Sequence, residues 1–254
     1  MNLPCIVEGM SFEDYQATEA VNRGELVDYI LNKSRWYKKH VLGMFEQETT
    51  DAMQIGSDLH SCYLEQYPMD TMLKCMLYSK ELLSGANKGE LTADAKKYSD
   101  MLKGMHSSLE ADLLAKKWMK GGSPEVSVFA EFEGWPVKCR IDYLAKNYGI
   151  DLKTTSKPLA EFEKALYEYR YDWQAAFYCL CCELAGHPIK EFFFLVVEKK
   201  EPFDVGMFKL QPERFKAAMS LVKFWLAKLI ADRKAENYGT EIMLVDYPAC
   251  VREE

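Results

Sequence analysis

Long apolar runs are missing from this sequence. The longest, such as FFFLVV at 192–197, have the length of a buried strand. A membrane-spanning helix needs roughly 18 consecutive apolar residues. The first residues, MNLPCIVEGM, do not place a charged segment ahead of an apolar core, so we expect no signal peptide. Together these absences predict a cytoplasmic protein without a membrane partner.

A secreted disulfide framework is not indicated either. The chain has eight cysteines, but it is long and they stand in apolar contexts. This pattern favours buried, reduced thiols over disulfides. The closely spaced Cys179, Cys181 and Cys182 do not match the thiolate patterns that hold iron–sulfur clusters, which disfavours that alternative.

Basic residues are too few to balance the acidic ones. There are 32 Lys and Arg against 39 Asp and Glu, and the formal net charge is −7. This argues mildly against nucleic acid as a partner, because phosphate contacts need Lys and Arg. The field within a cleft matters more than the net charge, however, and bound cations reverse the local sign. A metal-dependent nuclease therefore stays compatible with the composition.

The order of helical and strand-like patterns predicts an α/β protein. SFED at 11–14 begins the first helix with a capping box. We expect one domain over 1–254, mainly helical at 1–120, with a catalytic sheet and flanking helices at 121–235. In chain order, the patterns predict helices over 11–45, 50–66 and 91–119, a three-stranded antiparallel meander over 125–158, a helix over 159–185, strands within 189–200 and 202–210, and a helix over 211–235.

Two carboxylates and a lysine are expected to share one face of the meander. The strands CRIDYLA and GIDLKTT meet across a turn at 147–149, which sets Asp142 opposite Lys153. Asp151 lies two residues before Lys153 and therefore points the same way. The other face would then carry the apolar neighbours Ile141, Tyr143, Ile150 and Leu152.

Such a trio has a chemical use. Mg²⁺ takes oxygen ligands, usually one or two carboxylates together with waters and substrate phosphates. The metal polarises a phosphoryl oxygen and lowers the pKa of a bound water, while a nearby lysine stabilises charge that develops on the phosphate. The alternative is a salt-bridged sheet face in solvent, because D-x-K triplets are common.

Further motifs make the chain similar to the PD-(D/E)XK nuclease superfamily. D-x(8)-D-L-K in a hairpin followed by a helix resembles its core motif, with Ile141 in place of the proline before Asp142. GSDLH at 56–60 and the Gln174-x-x-x-Tyr178 pattern resemble features of the RecB/RecE-like branch. GWPVKCRIDYLAKNYGIDLKTT followed by YDWQAAFYC looks most like phage-type RecE exodeoxyribonucleases (exodeoxyribonuclease VIII-like).

The resemblance spans about 56–198 and implies a fold and a set of roles. The fold would be a restriction-endonuclease-like core, a central mixed β-sheet flanked by helices. Gln174 and Tyr178, four residues apart on one helix, would share a face toward the site. The implied metal ligands are His60, Asp142, Asp151 and the Leu152 carbonyl, and the implied catalytic residues are Lys153, Asp142, Asp151, Gln174 and Tyr178.

For several other residues, the sequence leaves two roles open. Glu125 and Glu131 either add a carboxylate from the first strand or face solvent. Lys138 and Arg140 either contact phosphate or lie on a solvated face. Trp135, in the EGWP turn, is either a surface plug or a stacking residue.

The activity that the resemblance implies is a Mg²⁺-dependent exodeoxyribonuclease, with Mn²⁺ as a substitute. It would act on double-stranded DNA ends, 5′ to 3′, and leave 3′ single-stranded tails for recombination. The implied partners are a RecT/beta-like single-strand annealing protein and further copies of the chain in a ring trimer or tetramer. The setting would be a bacterial host cell, with a phage or prophage gene.

Two alternatives remain. One is a RecB-like or structure-specific DNA repair nuclease on the same core. The other is a non-catalytic nucleic-acid-binding module. The joint presence of His60, Asp142, Asp151 and Lys153 argues against a decayed site.

Overall fold

The structure of the chain is a computed structural model, and it describes residues 3–45, 50–77 and 91–239. Helices precede most of the strands. They are α1 (Phe12–Ala17), α2 (Arg23–Leu31), α3 (Lys33–Trp36), a π-helical turn (Tyr37–Val41), α4 (Asp51–Tyr63), α5 (Met69–Leu77), α6 (Ala93–Ala111) and α7 (Leu113–Trp118).

The second half of the chain supplies most of the sheet. The strands are β1 (Cys5–Val7), β2 (Gly122–Phe132), β3 (Trp135–Ala145), β4 (Tyr148–Thr155), β5 (Glu191–Glu198) and β6 (Val205–Lys209). Between β4 and β5 lie a 3-10 turn (Leu159–Glu161), α8 (Phe162–Glu168) and α9 (Tyr171–Leu184), and α10 (Pro212–Lys234) follows β6.

The strands form a mixed sheet in the order β1-β2-β3-β4-β5-β6. Neighbours pair antiparallel, except that β4 and β5 are parallel. A parallel pair needs a crossover, which α8 and α9 provide. The prediction of a central mixed sheet flanked by helices is confirmed, and so is the meander of β2, β3 and β4. The N-terminal strand β1 was not predicted.

Each face of the sheet has its own hydrophobic core. One core packs α9, α10 and α2 against β2, β3 and β5 and includes Trp36, Phe177 and Phe194. The other packs α4 and α6 against β4 and β5 and includes Leu59 and Leu102. We call these the α9 core and the α6 core. No helix in the described ranges has the length and apolarity needed to cross a membrane.

The pairing of β3 with β4 differs from the prediction by two residues. Tyr143 pairs with Ile150 and Leu144 with Gly149, so Asp142 is not opposite Lys153. One further step in this register would bring Asp142 level with Asp151. Because the error is an even number of residues, it leaves the side chains on the same face.

The predicted division of apolar residues between the faces was wrong at one position. Ile141 belongs to the α9 core, whereas Tyr143, Ile150 and Leu152 belong to the α6 core. The alternation of β3 breaks at Asp142, opposite Glu125 of β2, whose φ is +50°. The ladder between β2 and β3 leaves out this pair while it continues on both sides. A left-handed residue therefore introduces a kink into the sheet at this point.

Helix boundaries also depart from the sequence patterns. The helix expected over 11–45 is divided, because Asn22 and Asn32 cap new helices by accepting from the backbone N–H of Glu25 and Arg35, each at 2.9 Å. The predicted Ser11 cap is present and accepts from Asp14 at 3.0 Å. The helix over 159–185 also divides, at Arg170, where the backbone is left-handed (φ +54°) and the side chain makes no cap hydrogen bond.

The cysteines whose side chains are described are all free of disulfides. Cys62, Cys139 and the Cys179, Cys181, Cys182 group lie buried, and Cys5 is half-buried. Burial raises the pKa of the Cys139 thiol well above its usual range, which opposes formation of a reactive thiolate. Cys250 lies outside the described residues.

Candidate metal centre and active site

Three side chains from different elements meet beside the kink. They are His60 of α4, Glu125 of β2 and Asp142 of β3, whose ligand atoms all lie within 4.8 Å of one another. We call these three residues the metal cluster. His60 Nδ1 is 3.4 Å from Glu125 Oε1, and His60 Nε2 is 3.4 Å from Asp142 Oδ2. The Leu152 carbonyl oxygen lies 3.0 Å from His60 Nε2.

The helix that carries His60 is held by a buried carboxylate. Asp58, two residues earlier, accepts a hydrogen bond from Gln54 at 2.8 Å and another from the Tyr98 hydroxyl of α6. Thr50 caps the same helix and accepts from the Met53 N–H. A buried carboxylate that is fully hydrogen-bonded fixes its surroundings strongly. The imidazole therefore approaches the sheet from a helix that is fixed to its neighbour.

Asp142, a member of the metal cluster, is also hydrogen-bonded to the adjacent strand. Its Oδ2 accepts from the Leu152 N–H at 2.7 Å, at the point where β3 and β4 separate. Burial raises the pKa of Asp142 to about 7, and the nearby Asp151 charge adds to the rise, against the opposing effect of His60 and Lys153. Asp142 therefore keeps its proton up to near-neutral pH, because it is buried and close to the negative charge of Asp151.

The pKa values of the other two members of the metal cluster shift in opposite directions. Burial by itself lowers the pKa of His60, but attraction to Asp142 and Glu125 outweighs burial and raises the pKa to about 9. Burial opposes the ionisation of Glu125, yet hydrogen bonds from His60 and Arg140 hold its pKa below the usual range. In the absence of a metal, a proton on His60 therefore balances the carboxylates.

The buried Asp151 and the half-buried Lys153 form an ion pair next to the metal cluster. Lys153 Nζ is 2.5 Å from Asp151 Oδ2, and the Gln174 amide of α9 donates to Asp151 Oδ1. Burial alone would lower the pKa of Lys153, but the charges of Asp151 and Asp142 raise it. Lys153 is therefore held as a cation. Both Asp151 oxygens face these two partners, and Asp151 lies outside the metal cluster.

The expected face of α9 is present. Gln174 reaches Asp151, and Tyr178 lies one turn further on, with its ring edge against Phe192 at 5.8 Å between centroids. Burial, followed by the charge of Asp151, raises the pKa of Tyr178 well above its usual range. The phenol therefore remains protonated and can act only as a neutral group.

Two cavities adjoin the site. The smaller, of about 380 Å³, is lined by the metal cluster with Arg140 and Glu65. The larger, of about 1260 Å³, is lined by residues that include Lys153 and Gln174. Tyr15 and Tyr178 line both cavities, which therefore adjoin at these two rings.

The open residues of β2 and β3 now have defined places. Glu125 joins the metal cluster, whereas Glu131 is exposed. Lys138 is buried and donates to the backbone carbonyls of Tyr15, Gln16 and Thr18, so neither proposed role applies to it. Trp135 lines the larger cavity.

Arg140 is the residue whose role was missed. Its Nε donates to Glu125 Oε2 at 2.7 Å, and a terminal nitrogen donates to the Met10 carbonyl at 2.8 Å. The register of β2 and β3 pairs Ser127 with Arg140, which makes Glu125 a diagonal neighbour of Arg140 across the two strands.

The chemistry of the donors fits a divalent cation. An imidazole nitrogen, two carboxylates and a backbone carbonyl converge, and three of these four groups supply oxygen. Carboxylate and carbonyl oxygens suit Mg²⁺ and Mn²⁺. The half-buried cation Lys153 beside this donor set matches the arrangement expected for phosphate chemistry.

Comparison with known proteins agrees with the fold. A protein from Eubacterium rectale that carries the provisional name of exonuclease has a crystal structure with TM-score 0.68 to this chain, at 18% identity, over 91% of this chain and 88% of that one. SSO0001 aligns at TM-score 0.29 and 12% identity, over 78% of this chain and 86% of that one. VC1899 from Vibrio cholerae aligns at TM-score 0.22 and 14% identity, over 87% of this chain and 59% of that one. At TM-scores this low, these two alignments do not support a shared fold.

A search of curated proteins found no significant relative. A family model described as a PDDEXK-like domain of unknown function (DUF3799) matches residues 32–240. The match covers most of the chain and contains every member of the metal cluster, the Asp151–Lys153 pair and the α9 residues. The chain therefore belongs to the PDDEXK-like domain family DUF3799.

Proposed function

We propose that the protein is a metal-dependent nuclease that hydrolyses phosphodiester bonds in DNA. One observation carries the proposal: an ion pair between the buried Asp151 and the half-buried Lys153 lies beside a histidine–carboxylate cluster that fits a divalent cation. Structural ion pairs are common, but this one borders a cavity and a second set of titratable groups with shifted pKa values. Such a concentration is typical of active sites.

The roles follow from the contacts. The metal cluster and the Leu152 carbonyl would hold Mg²⁺, or Mn²⁺ in its place, and the ion would supply an activated water and polarise the phosphate. Lys153, held as a cation by Asp151, stabilises negative charge that develops on the phosphate. Gln174 fixes the Asp151 carboxylate, which in turn fixes the ammonium.

The order of motifs supports a more specific proposal. We infer an exodeoxyribonuclease of RecE type that degrades one strand of linear duplex DNA from its 5′ end. Its products would be 3′ single-stranded tails, used with an annealing protein in recombination, and it would act as a homo-oligomer. These features rest on the resemblance of GSDLH, D-x(8)-D-L-K and Q-x-x-x-Y to that branch.

A cleavage assay tests the proposal. The protein is incubated with Mg²⁺ and linear duplex DNA labelled at the 5′ or the 3′ end, with a closed circle alongside. We expect mononucleotides from the linear DNA only, from the 5′-labelled strand first, and none with EDTA. Cutting of the circle would favour a structure-specific nuclease instead.

Two lysine variants make the assay specific to the site. Lys153→Ala should abolish cleavage, because Lys153 is the cation beside the metal cluster. Lys157→Ala is the matched control, since Lys157 follows the same strand but only pairs with Glu168 at the surface. Equal activity of Lys153→Ala and the wild type would disprove the site. Inactivity of the wild type with both Mg²⁺ and Mn²⁺ would favour a binding module.

A further inference from the structure

We propose that the larger cavity beside Lys153, which we call the lysine cleft, binds unpaired, single-stranded nucleic acid by ring stacking and phosphate contacts. The inference rests on the proposed nuclease function and specifies the form of its substrate. It assigns the segment next to the cleaved bond to a single strand rather than to a duplex.

The charge of the lysine cleft is opposite to that of the protein as a whole. The chain has a net charge of −7, yet five Lys or Arg residues and only two Glu residues line this cleft. The ion pairs Arg233–Glu25, Lys153–Asp151 and Lys39–Asp28 neutralise three of these cations, which leaves Arg23 and Lys138 against Glu19. A local excess of positive charge in an acidic protein favours a polyanion at this place.

One of the five cations, Lys39, comes from the π-helical turn. Lys39 and His40 both line the lysine cleft and both contact the Asp28 carboxylate, at 2.7 and 2.8 Å. Their shared partner holds the two side chains in one place on the cleft wall. Distortions of this kind within helices frequently occur at functional sites.

Exposed aromatic rings line the same cleft. Tyr169 is 53% exposed and Phe45 is 52% exposed, although both rings are large and apolar. Arg23 fixes the backbone of the first by donating to the carbonyls of Tyr169 and Arg170. Uncovered rings are the platforms on which single-stranded bases stack.

These rings lead from the surface to the catalytic lysine. The Tyr169 and Tyr171 centroids are 5.6 Å apart, and Lys153 Nζ is 4.9 Å from the Tyr171 centroid. A base stacked on Tyr169 would therefore have its own backbone close to Lys153. Base faces inside a duplex are already covered by their neighbours, so this arrangement selects an unpaired strand.

Binding without cleavage tests the inference. The wild-type protein in EDTA is titrated into a fluorescein-labelled single-stranded oligonucleotide and, separately, into the blunt duplex of the same sequence, with anisotropy as the readout. We expect the single strand to bind more tightly. Tyr169→Ala and Phe45→Ala should each weaken it by about 5- to 150-fold, the range that corresponds to loss of one stacked base.

The controls separate stacking from general effects. Tyr169→Phe keeps a ring and should bind like the wild type. Phe224→Ala removes a ring that is 61% exposed on α10, away from the lysine cleft, and should change nothing. Melting temperatures of all variants should agree, since the replaced rings are on the surface.

The outcomes distinguish this inference from the proposed function. Wild-type affinity in Tyr169→Ala and Phe45→Ala, or duplex binding as tight as single-strand binding, would overturn the cleft assignment even if DNA is cleaved. Weakened single-strand binding in a protein that cleaves nothing would support the cleft and refute the nuclease. A variant effect equal to that of Phe224→Ala would also count against the cleft.

Discussion

Replacement of Arg140 by lysine should weaken metal binding while the fold remains intact. The guanidinium holds Glu125 from one side and the Met10 carbonyl from the other. A lysine keeps the charge but cannot make both contacts from a planar fork. A hydrogen bond to a charged group contributes about 1.5–3 kcal/mol. Loss of that amount at a metal ligand corresponds to about a 10- to 100-fold weaker metal affinity, the range typical for partners of metal ligands.

The assay is a direct titration with Mn²⁺, read from the electron paramagnetic resonance signal of the free ion. The control is Arg214→Lys, because Arg214 stacks on the Tyr167 ring and lies away from the site. Cleavage by Arg140→Lys should approach the wild-type rate when Mn²⁺ is raised in proportion, since Lys153 is untouched. Unchanged Mn²⁺ affinity, or activity that excess metal does not restore, would refute the reasoning.

Three further outcomes are expected. Gln174→Leu removes the donor to Asp151, so cleavage should fall by about 10- to 100-fold at constant Mn²⁺ affinity; an equal loss of metal binding would contradict this. Tyr98→Phe leaves Asp58 short of a donor, which should lower the free energy of unfolding in urea by about 1–3 kcal/mol, whereas Tyr67→Phe, at an exposed position, should not. In EDTA, stability should decrease as pH rises from about 5 to about 9, because the native metal cluster binds more protons than the unfolded chain in this window. The Asp142 pKa is raised from 3.8 to about 7 and the His60 pKa from 6.5 to about 9, whereas the lowered pKa of Glu125 acts in the opposite direction only at lower pH. A melting temperature that rises across this window would contradict the assignment.

Much of the site could be predicted because its residues are close in sequence. Asp151 and Lys153 are separated by one residue, so any strand places them on one face. The turn between β3 and β4 brings Asp142 near them, and a register error of two residues preserves the face. The spacing of Gln174 and Tyr178 fixes their shared helix face in the same way.

The remainder depends on backbone geometry that residue types do not encode. A positive φ at a non-glycine residue has no reliable sequence signal, so the kink at Glu125 was not foreseen. The kink decides that Glu125 enters the metal cluster and that Ile141 packs in the α9 core. The partner of Arg140 depends on the register between β2 and β3, and the carbonyls bound by Lys138 belong to α1 and the residue after it, which are distant in sequence.

The kink also gives the metal cluster a mechanical position in the molecule. Residues on either side of Asp142 in β3 pack in different cores, Ile141 with α9 and Tyr143 with α6. His60 comes from a helix of the α6 core, whereas Glu125 precedes Val126 of the α9 core. An ion held by these ligands would connect the α6 core and the α9 core at the kink of the sheet. Metal occupancy should therefore increase the cooperativity of unfolding, so that the two cores melt together when the ion is bound.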